Sequence, residues 1–474
     1  MNGGSTVVDV ERLAPCTGLA DGCRGLARSV SARRSGCASD TRDSTLRRIE
    51  QPLSEPVDPA HWLSVVGPLP RFYWGARNRA SFVAGAGILA ERRGDDFSVI
   101  DDAEDGPYGS GGVLRFLTAR FDPAGTAAAY WERFGRIVVR TPLLELRPER
   151  DGALLAVNLA AGRPADDGAS DPAALAIQTL RLAATAASQP ANTQPLPLKL
   201  ISETDERQAW TRSVRSLIED IAAGRLRKAV LARSLRLVGR TRIANLLSHT
   251  ICQPASAFCY LVQPTVNSAF LGATPELLYR RGGRAIESEA LAGTRPRGAD
   301  HEVDERLARE LLASAKDAEE QALVHDHIAS ALQPLCETLE AEPQPHLVKL
   351  KDMQHLRTRV RGRLREGVGD ADVLTALHPT PALCGSPREE ALAALRRLEP
   401  FDRGLFGGVV GVLGEDEAEL AVAIRGALVH DDELRLFAGS GIVAGSEPDG
   451  EWLETELKLG AIAELLGISD ARSA

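Results

Sequence analysis

Lys228 opens a run of apolar residues, Lys228-Ala229-Val230-Leu231-Ala232, that reads as a strand. Desolvation by such neighbours lowers an amine's hold on its proton, so the free amine becomes usable as a general base. Many surface strands also carry a solvated lysine, and periodicity alone favours that plainer reading. Glu276 follows a stiff Thr274-Pro275 turn. A carboxyl held rigidly beside apolar groups stays protonated and can donate; taken alone, a turn glutamate is usually just solvated. The stretch Leu291-Ala292-Gly293-Thr294 runs from a strand into a turn whose bare N–H groups and hydroxyl suit an anion.

Three further segments carry charge. Lys316-Asp317-Ala318-Glu319-Glu320 lies in a helical stretch, where such a run ordinarily forms a solvated face. In Gly450-Glu451-Trp452-Leu453-Glu454-Thr455-Glu456-Leu457-Lys458, Glu451 and Glu454 are three apart and Glu454 and Lys458 four apart, so all three share one helix face. Carboxylates from one or two helices, with room for water and substrate, are how Mg²⁺ prefers to be held; ordinary surface ion pairs are the alternative. A glycine-rich entry, Ala438-Gly439-Ser440-Gly441, precedes that helix. Arg425 ends the apolar run Leu420-Ala421-Val422-Ala423-Ile424, read as the inside of a strand over residues 420–429. A buried guanidinium there must face an anion. Two loops complete the set: His378-Pro379-Thr380-Pro381-Ala382-Leu383-Cys384-Gly385, and residues 401–408, which contain Phe406.

The elements that must position these groups are read from periodicity and turn signals. Strands are expected at 71–74, 81–88, 113–121, 137–146, 228–237, 257–263, 268–271, 277–281, 409–413, 420–429 and 434–438. Helices are expected at 166–188, 205–223, 452–466 and, as one or two segments, 305–339. Strands come in clusters, not in alternation with helices, which predicts an α+β fold: a single large layered sandwich of mostly antiparallel sheets flanked by helices. Residues 1–55, rich in Arg, Gly and Ser, read as a disordered extension, with ordered chain beginning near Trp62. Residues 56–197 read as the N-terminal part of the fold, with a Pro- and Gln-rich linker at 189–197, and residues 198–470 as the catalytic part.

Composition narrows the function. The chain is 44% hydrophobic and 26% charged, with a net charge of −9, which argues against nucleic acid or an anionic membrane as partner. It leaves room for a small anion bound by local cations. Seven cysteines show no metal-binding spacing and read as reduced thiols of a cytoplasmic protein. No apolar run is long enough for a transmembrane helix.

In family order over residues 224–460, these motifs resemble the chorismate-utilising enzymes: isochorismate synthases, salicylate synthases, anthranilate synthase and aminodeoxychorismate synthase. The N-terminal half matches more loosely, through 115–122 and 131–145. The resemblance implies roles. Lys228 falls on the base that activates water, a lysine that the ammonia-using members lack. Glu276 falls on the general acid. Glu320 and Glu454 fall on the ligands of a Mg²⁺ cofactor, and Glu451 on a carboxylate supporting it. Arg425 and Lys458 fall on contacts to substrate carboxylates. Gly293, Thr294, Gly439 and Gly441 fall on backbone or hydroxyl contacts, and His355 on a substrate-side histidine. Salicylate synthases tend to carry Thr where this chain has Ala382 and Tyr where it has Phe406. The implied activity is therefore isomerisation of chorismate to isochorismate by a monomer, with menaquinone biosynthesis as the expected use. Salicylate synthase is the runner-up.

Overall fold

A computed structural model describes residues 8–34, 46–67, 69–77, 81–101, 112–160, 171–186, 198–201, 206–252, 256–349 and 353–468. The linker read at 189–197 lies outside the described residues.

Strand Ile137–Glu149 is the junction of two antiparallel arms. One arm runs through Phe82–Gly94, Arg71–Gly75, Phe258–Thr265, Ser268–Thr274, Gly426–His430 and Glu433–Ile442 to Lys228–Val238. The other runs through Arg115–Ala119, Val409–Leu413, Glu417–Val422, Leu277–Gly282 and Ala285–Pro296 to Met353–Leu364. Strand Arg71–Gly75 of the N-terminal half is hydrogen-bonded to Phe258–Thr265 of the C-terminal half, so the two halves share one sandwich.

The strand period of two decides which residue faces which layer. In Phe258–Thr265, Phe258, Tyr260 and Val262 enter an aromatic-rich core between the arms, while Cys259 and Leu261 enter the core under the outer helices. Val410, Val412, Ala421 and Leu277 meet that central core from the second arm. Helices Leu19–Arg34, Pro172–Ala186 and Pro448–Leu465 pack against the core of the first arm, Ala315–Leu332 and Asp370–Leu377 against that of the second, and Glu206–Ala222 and Arg388–Leu398 against Lys228–Val238 at the end of the first arm. The expected α+β sandwich with flanking helices is the observed architecture.

Three expectations are corrected. The first 55 residues are not a disordered extension where they are described. Val8–Arg12 pairs in parallel with Leu46–Leu53, which pairs antiparallel with Gly152–Ala160. Helix Leu19–Arg34 buries Cys23, Leu26, Ala27 and Val30. Those four residues form an i, i+3, i+4, i+7 stripe, masked in the sequence by the arginines and glycines around it. The helical segment read at 305–339 takes the two-helix form that was one of its alternatives, His301–Ala313 and Ala315–Leu332, broken at Ser314, whose hydroxyl caps the second by accepting from Asp317 N at 3.3 Å, but it does not run on to 339. Past it, Cys336–Ala341 is a strand pairing with Met353–Leu364. Lastly, Arg425 is not inside a strand: Glu417–Val422 ends before it, Gly426–His430 begins after it, and Arg425 has φ +51°.

Candidate active site

A cavity of about 230 Å³ opens where the two arms and the helices Ala315–Leu332 and Pro448–Leu465 converge. Its lining holds Glu276, Gly293, Thr294, Glu320, His355, Ala382, Phe406, Arg425, Gly439, Gly441, Glu454 and Lys458. Lys228 and Glu451 stand just behind the wall.

Lys228 begins its strand with no exposed side-chain surface, and its Nζ donates to Glu320 Oε1 at 2.6 Å. Gly441 makes that meeting possible. It lies on the neighbouring strand opposite Val230. A Cβ on Gly441 would fall 2.6 Å from Glu320 Oε1 and 3.0 Å from Lys228 Cε.

Glu276 is buried, and burial pushes its carboxyl up to about 7 even though Lys228, Lys458 and Arg425 all draw it down. Near neutral pH a good share of these carboxyls is therefore protonated. Its backbone is fixed by Thr274, whose hydroxyl accepts from Glu276 N at 3.2 Å and donates to Val422 O at 2.7 Å.

Arg425 donates from Nη2 to His355 Nε2 at 2.8 Å. Because that nitrogen accepts, the proton of the neutral ring belongs on Nδ1, which donates to Gly293 O at 3.1 Å. Burial, helped by the Arg425 charge, depresses the His355 pKa to about 3, so the ring stays neutral and serves to aim the guanidinium. Gly293 sits at a register shift in its strand with φ +71°, a conformation that admits glycine readily.

Each of the three acidic residues meets a lysine. Lys458 Nζ donates to Glu454 Oε1 at 2.7 Å and to Gly439 O at 2.9 Å. Burial raises the Glu454 pKa, but Lys458, Lys316 and the Ser440 hydroxyl together hold it below its ordinary value. Glu451 is buried and takes Lys316 Nζ at 2.8 Å on one oxygen and Ser440 Oγ at 2.5 Å on the other. Among the described residues, no three His, Cys, Asp or Glu side chains stand close enough to hold a metal ion by themselves. The donor set still fits a hard cation. Glu320 and Glu454 line the same cavity, and the Lys316 ammonium already sits in the field of Glu451, Glu454 and Glu320. Two carboxylates, with remaining positions left to water and substrate, match the preference of Mg²⁺.

Lys316 and Arg295, to which no motif assigned a role, also line the cavity. Arg295 Nη2 donates to Asp317 Oδ2 at 2.8 Å, tying the wall strand to the helix. Lys316 was readable: it is four residues before Glu320, and so on the same helix face.

Known proteins align with these observations. Residues 33–467 match the family described as chorismate binding enzyme. Isochorismate synthase 2 of Arabidopsis thaliana, a chloroplast protein, is 35% identical over 73% of this chain, which spans 63% of the plant protein's length. The salicylate biosynthesis isochorismate synthase of Pseudomonas aeruginosa is 35% identical over 86% of this chain and 88% of its own. The structure of MenF, the menaquinone-specific isochorismate synthase from Escherichia coli, superposes with a TM-score of 0.77 at 27% identity, covering 94% of this chain and 99% of that one. This chain belongs to the chorismate binding enzyme family.

Proposed function

We propose that the chain is a Mg²⁺-dependent isochorismate synthase. Chorismate is a dianion, and Arg425 and Lys458 are the cations that bind its carboxylates and set the ring in the cavity. Lys228, as the free amine, takes a proton from a water that attacks C2. The ring double bonds shift, and Glu276, protonated, gives its proton to the departing C4 hydroxyl, which leaves as water. One water enters and one leaves, so the net change is an isomerisation. Glu320 and Glu454 would hold Mg²⁺, with Glu451 supporting them, and the bound ion would neutralise a substrate carboxylate and act as a template. Lys228 then acts as general base and Glu276 as general acid, the second kept protonated by its burial.

The observation that carries this reading is Glu276: a buried carboxyl with a pKa of about 7, facing the cavity beside Lys228, Lys458 and Arg425. The test is incubation with chorismate, with and without Mg²⁺, and with products resolved. Isochorismate formed only with the metal, and no pyruvate, is the expected result. Salicylate with pyruvate, or no turnover, refutes it. Ala382 and Phe406, which bring no hydroxyl to the cavity, support the absence of pyruvate elimination. The expected consumer of the product is menaquinone biosynthesis, which quinone analysis of a deletion strain tests.

A further inference from the structure

Arg77 lies just past strand Arg71–Gly75, outside every motif discussed so far. Its Nη2 donates to Pro275 O at 2.8 Å. That carbonyl belongs to the peptide joining Pro275 to Glu276, and the N–H of the same peptide donates to Thr274 Oγ1 at 3.2 Å. A peptide unit is planar, so fixing its oxygen and its N–H at opposite edges fixes its rotation. The plane in turn sets the direction in which the Glu276 side chain leaves the backbone.

The other end of Arg77 is anchored just as firmly. Its Nη1 lies 2.8 Å from Glu289 Oε2, and its guanidinium carbon stands 4.7 Å from the centroid of the Phe258 ring. Glu289 is buried and also draws Arg357 at 3.4 Å and Arg359 at 3.7 Å. The strand bearing Glu289 continues to Gly293 and Thr294, and the strand bearing Arg357 carries His355. One fork-shaped side chain therefore links the peptide of Glu276 to the strands that carry Gly293, Thr294 and His355. A planar guanidinium suits this task because its donors point in fixed, divergent directions.

We propose that Arg77 is a positioning residue for Glu276, acting through the Pro275–Glu276 peptide. This inference rests on the reading of Glu276 as the general acid. Arg77 does not itself line the cavity; it reaches the wall only through the Pro275 carbonyl, and its effect is on the aim of the acid. Its removal leaves Glu289 paired with two other arginines, so the fold should survive.

The test uses the full chain with saturating Mg²⁺ and measures kcat, KM, the pH profile and thermal unfolding for Arg77→Ala, Arg77→Lys and Glu276→Gln. For Arg77→Ala, kcat is expected to fall about 10- to 100-fold, the scale of a misplaced catalytic group, while KM moves by less than about threefold. The decline of kcat at high pH should begin at lower pH, because a carboxyl released from its buried slot reaches water and loses the desolvation that is the largest influence on its pKa. Arg77→Lys should recover part of kcat. If Arg77→Ala does not fold, Arg77→Met keeps the stem on Phe258, removes both donors, and gives the same comparison. Unchanged kcat and pH profile overturn the proposal. So does a loss that tracks the unfolded fraction with no recovery by lysine. Full activity in Glu276→Gln overturns the reading of the acid itself. Inactive Glu276→Gln beside an Arg77→Ala variant with unaltered kcat overturns only the role of Arg77.

Discussion

Lys228 Nζ lies 2.6 Å from Glu320 Oε1, although 92 residues separate the two in sequence. The amine comes from the first residue of a strand and the carboxylate from the second turn of the helix Ala315–Leu332. Only a glycine at 441 leaves room between them. Lys228→Ala should lower turnover roughly 10²- to 10⁴-fold, the usual worth of a general base. Equilibrium chorismate binding in the presence of Mg²⁺ should persist, because Arg425 and Lys458 remain. Retained turnover would remove Lys228 from the chemistry. Lost binding would make it a structural lysine.

Glu276 links activity to stability with opposite signs. Its ordinary pKa of 4.5 is raised to about 7 in the fold. Below pH 4.5 the folded and unfolded chains are both protonated there, and the group costs nothing. As pH rises through 7 the unfolded chain ionises freely while the folded chain resists, so stability is lost over that window. A gap of this size corresponds to a cost on the order of 3 kcal/mol at pH 8. Glu276→Gln should therefore lose activity by roughly 10²-fold or more, yet melt at a higher temperature than the parent at pH 8 and at nearly the same temperature at pH 5. Melting curves at the two pH values decide it: a difference independent of pH would refute the raised carboxyl.

The motif residues stand in visible local patterns, a lysine opening an apolar run, a glutamate after Thr-Pro, carboxylates three apart on one helix, but each pattern alone fits a solvated surface, and their roles come from the resemblance of the ordered set over residues 224–460. Less local facts were hidden. Helix Leu19–Arg34 depends on packing against Pro172–Ala186, so its thin stripe of Cys23, Leu26, Ala27 and Val30 stood out only once its neighbour was known. Cys336–Ala341 continues a helical-looking pattern but is claimed by pairing with Met353–Leu364, where tertiary context overrides local propensity. Arg425 looked like part of a strand because apolar residues lie on both sides; the backbone break that turns it toward His355 leaves no trace in hydropathy. Arg77 carries no local signal at all, since both its partners are distant in sequence.

Arg425 holds its aim at the expense of its backbone. A non-glycine residue at φ +51° is in the left-handed region, which an L side chain occupies with strain. Both Arg425→Ala and Arg425→Gly lose the guanidinium, so both should raise KM for chorismate sharply. They should differ in stability. Glycine accepts this φ without a Cβ clash, whereas alanine does not. The glycine variant should be the more stable of the pair, by up to about 1 kcal/mol in urea unfolding. If alanine is equally stable or more so, the backbone at 425 is not strained.

Gly441 offers the sharpest separation of cavity geometry from fold. Its strand conformation tolerates alanine, and its new methyl would meet Glu320 Oε1 at 2.6 Å, the mobile end of a side chain. The backbone need not move; the carboxylate must. Gly441→Ala should thus unfold within a few degrees of the parent while the Glu320 carboxylate is pushed off Lys228 and out of its place opposite Glu454. Two consequences follow from one displaced group. Turnover should fall, and the Mg²⁺ concentration giving half-maximal rate should rise, since a cation that depends on two carboxylates loses the alignment of one. Glu320→Gln supplies the reference, with the carboxylate's charge removed and the strand untouched. If Gly441→Ala matches the parent in metal requirement, Glu320 has room that the present packing denies it, and its assignment to the cation fails.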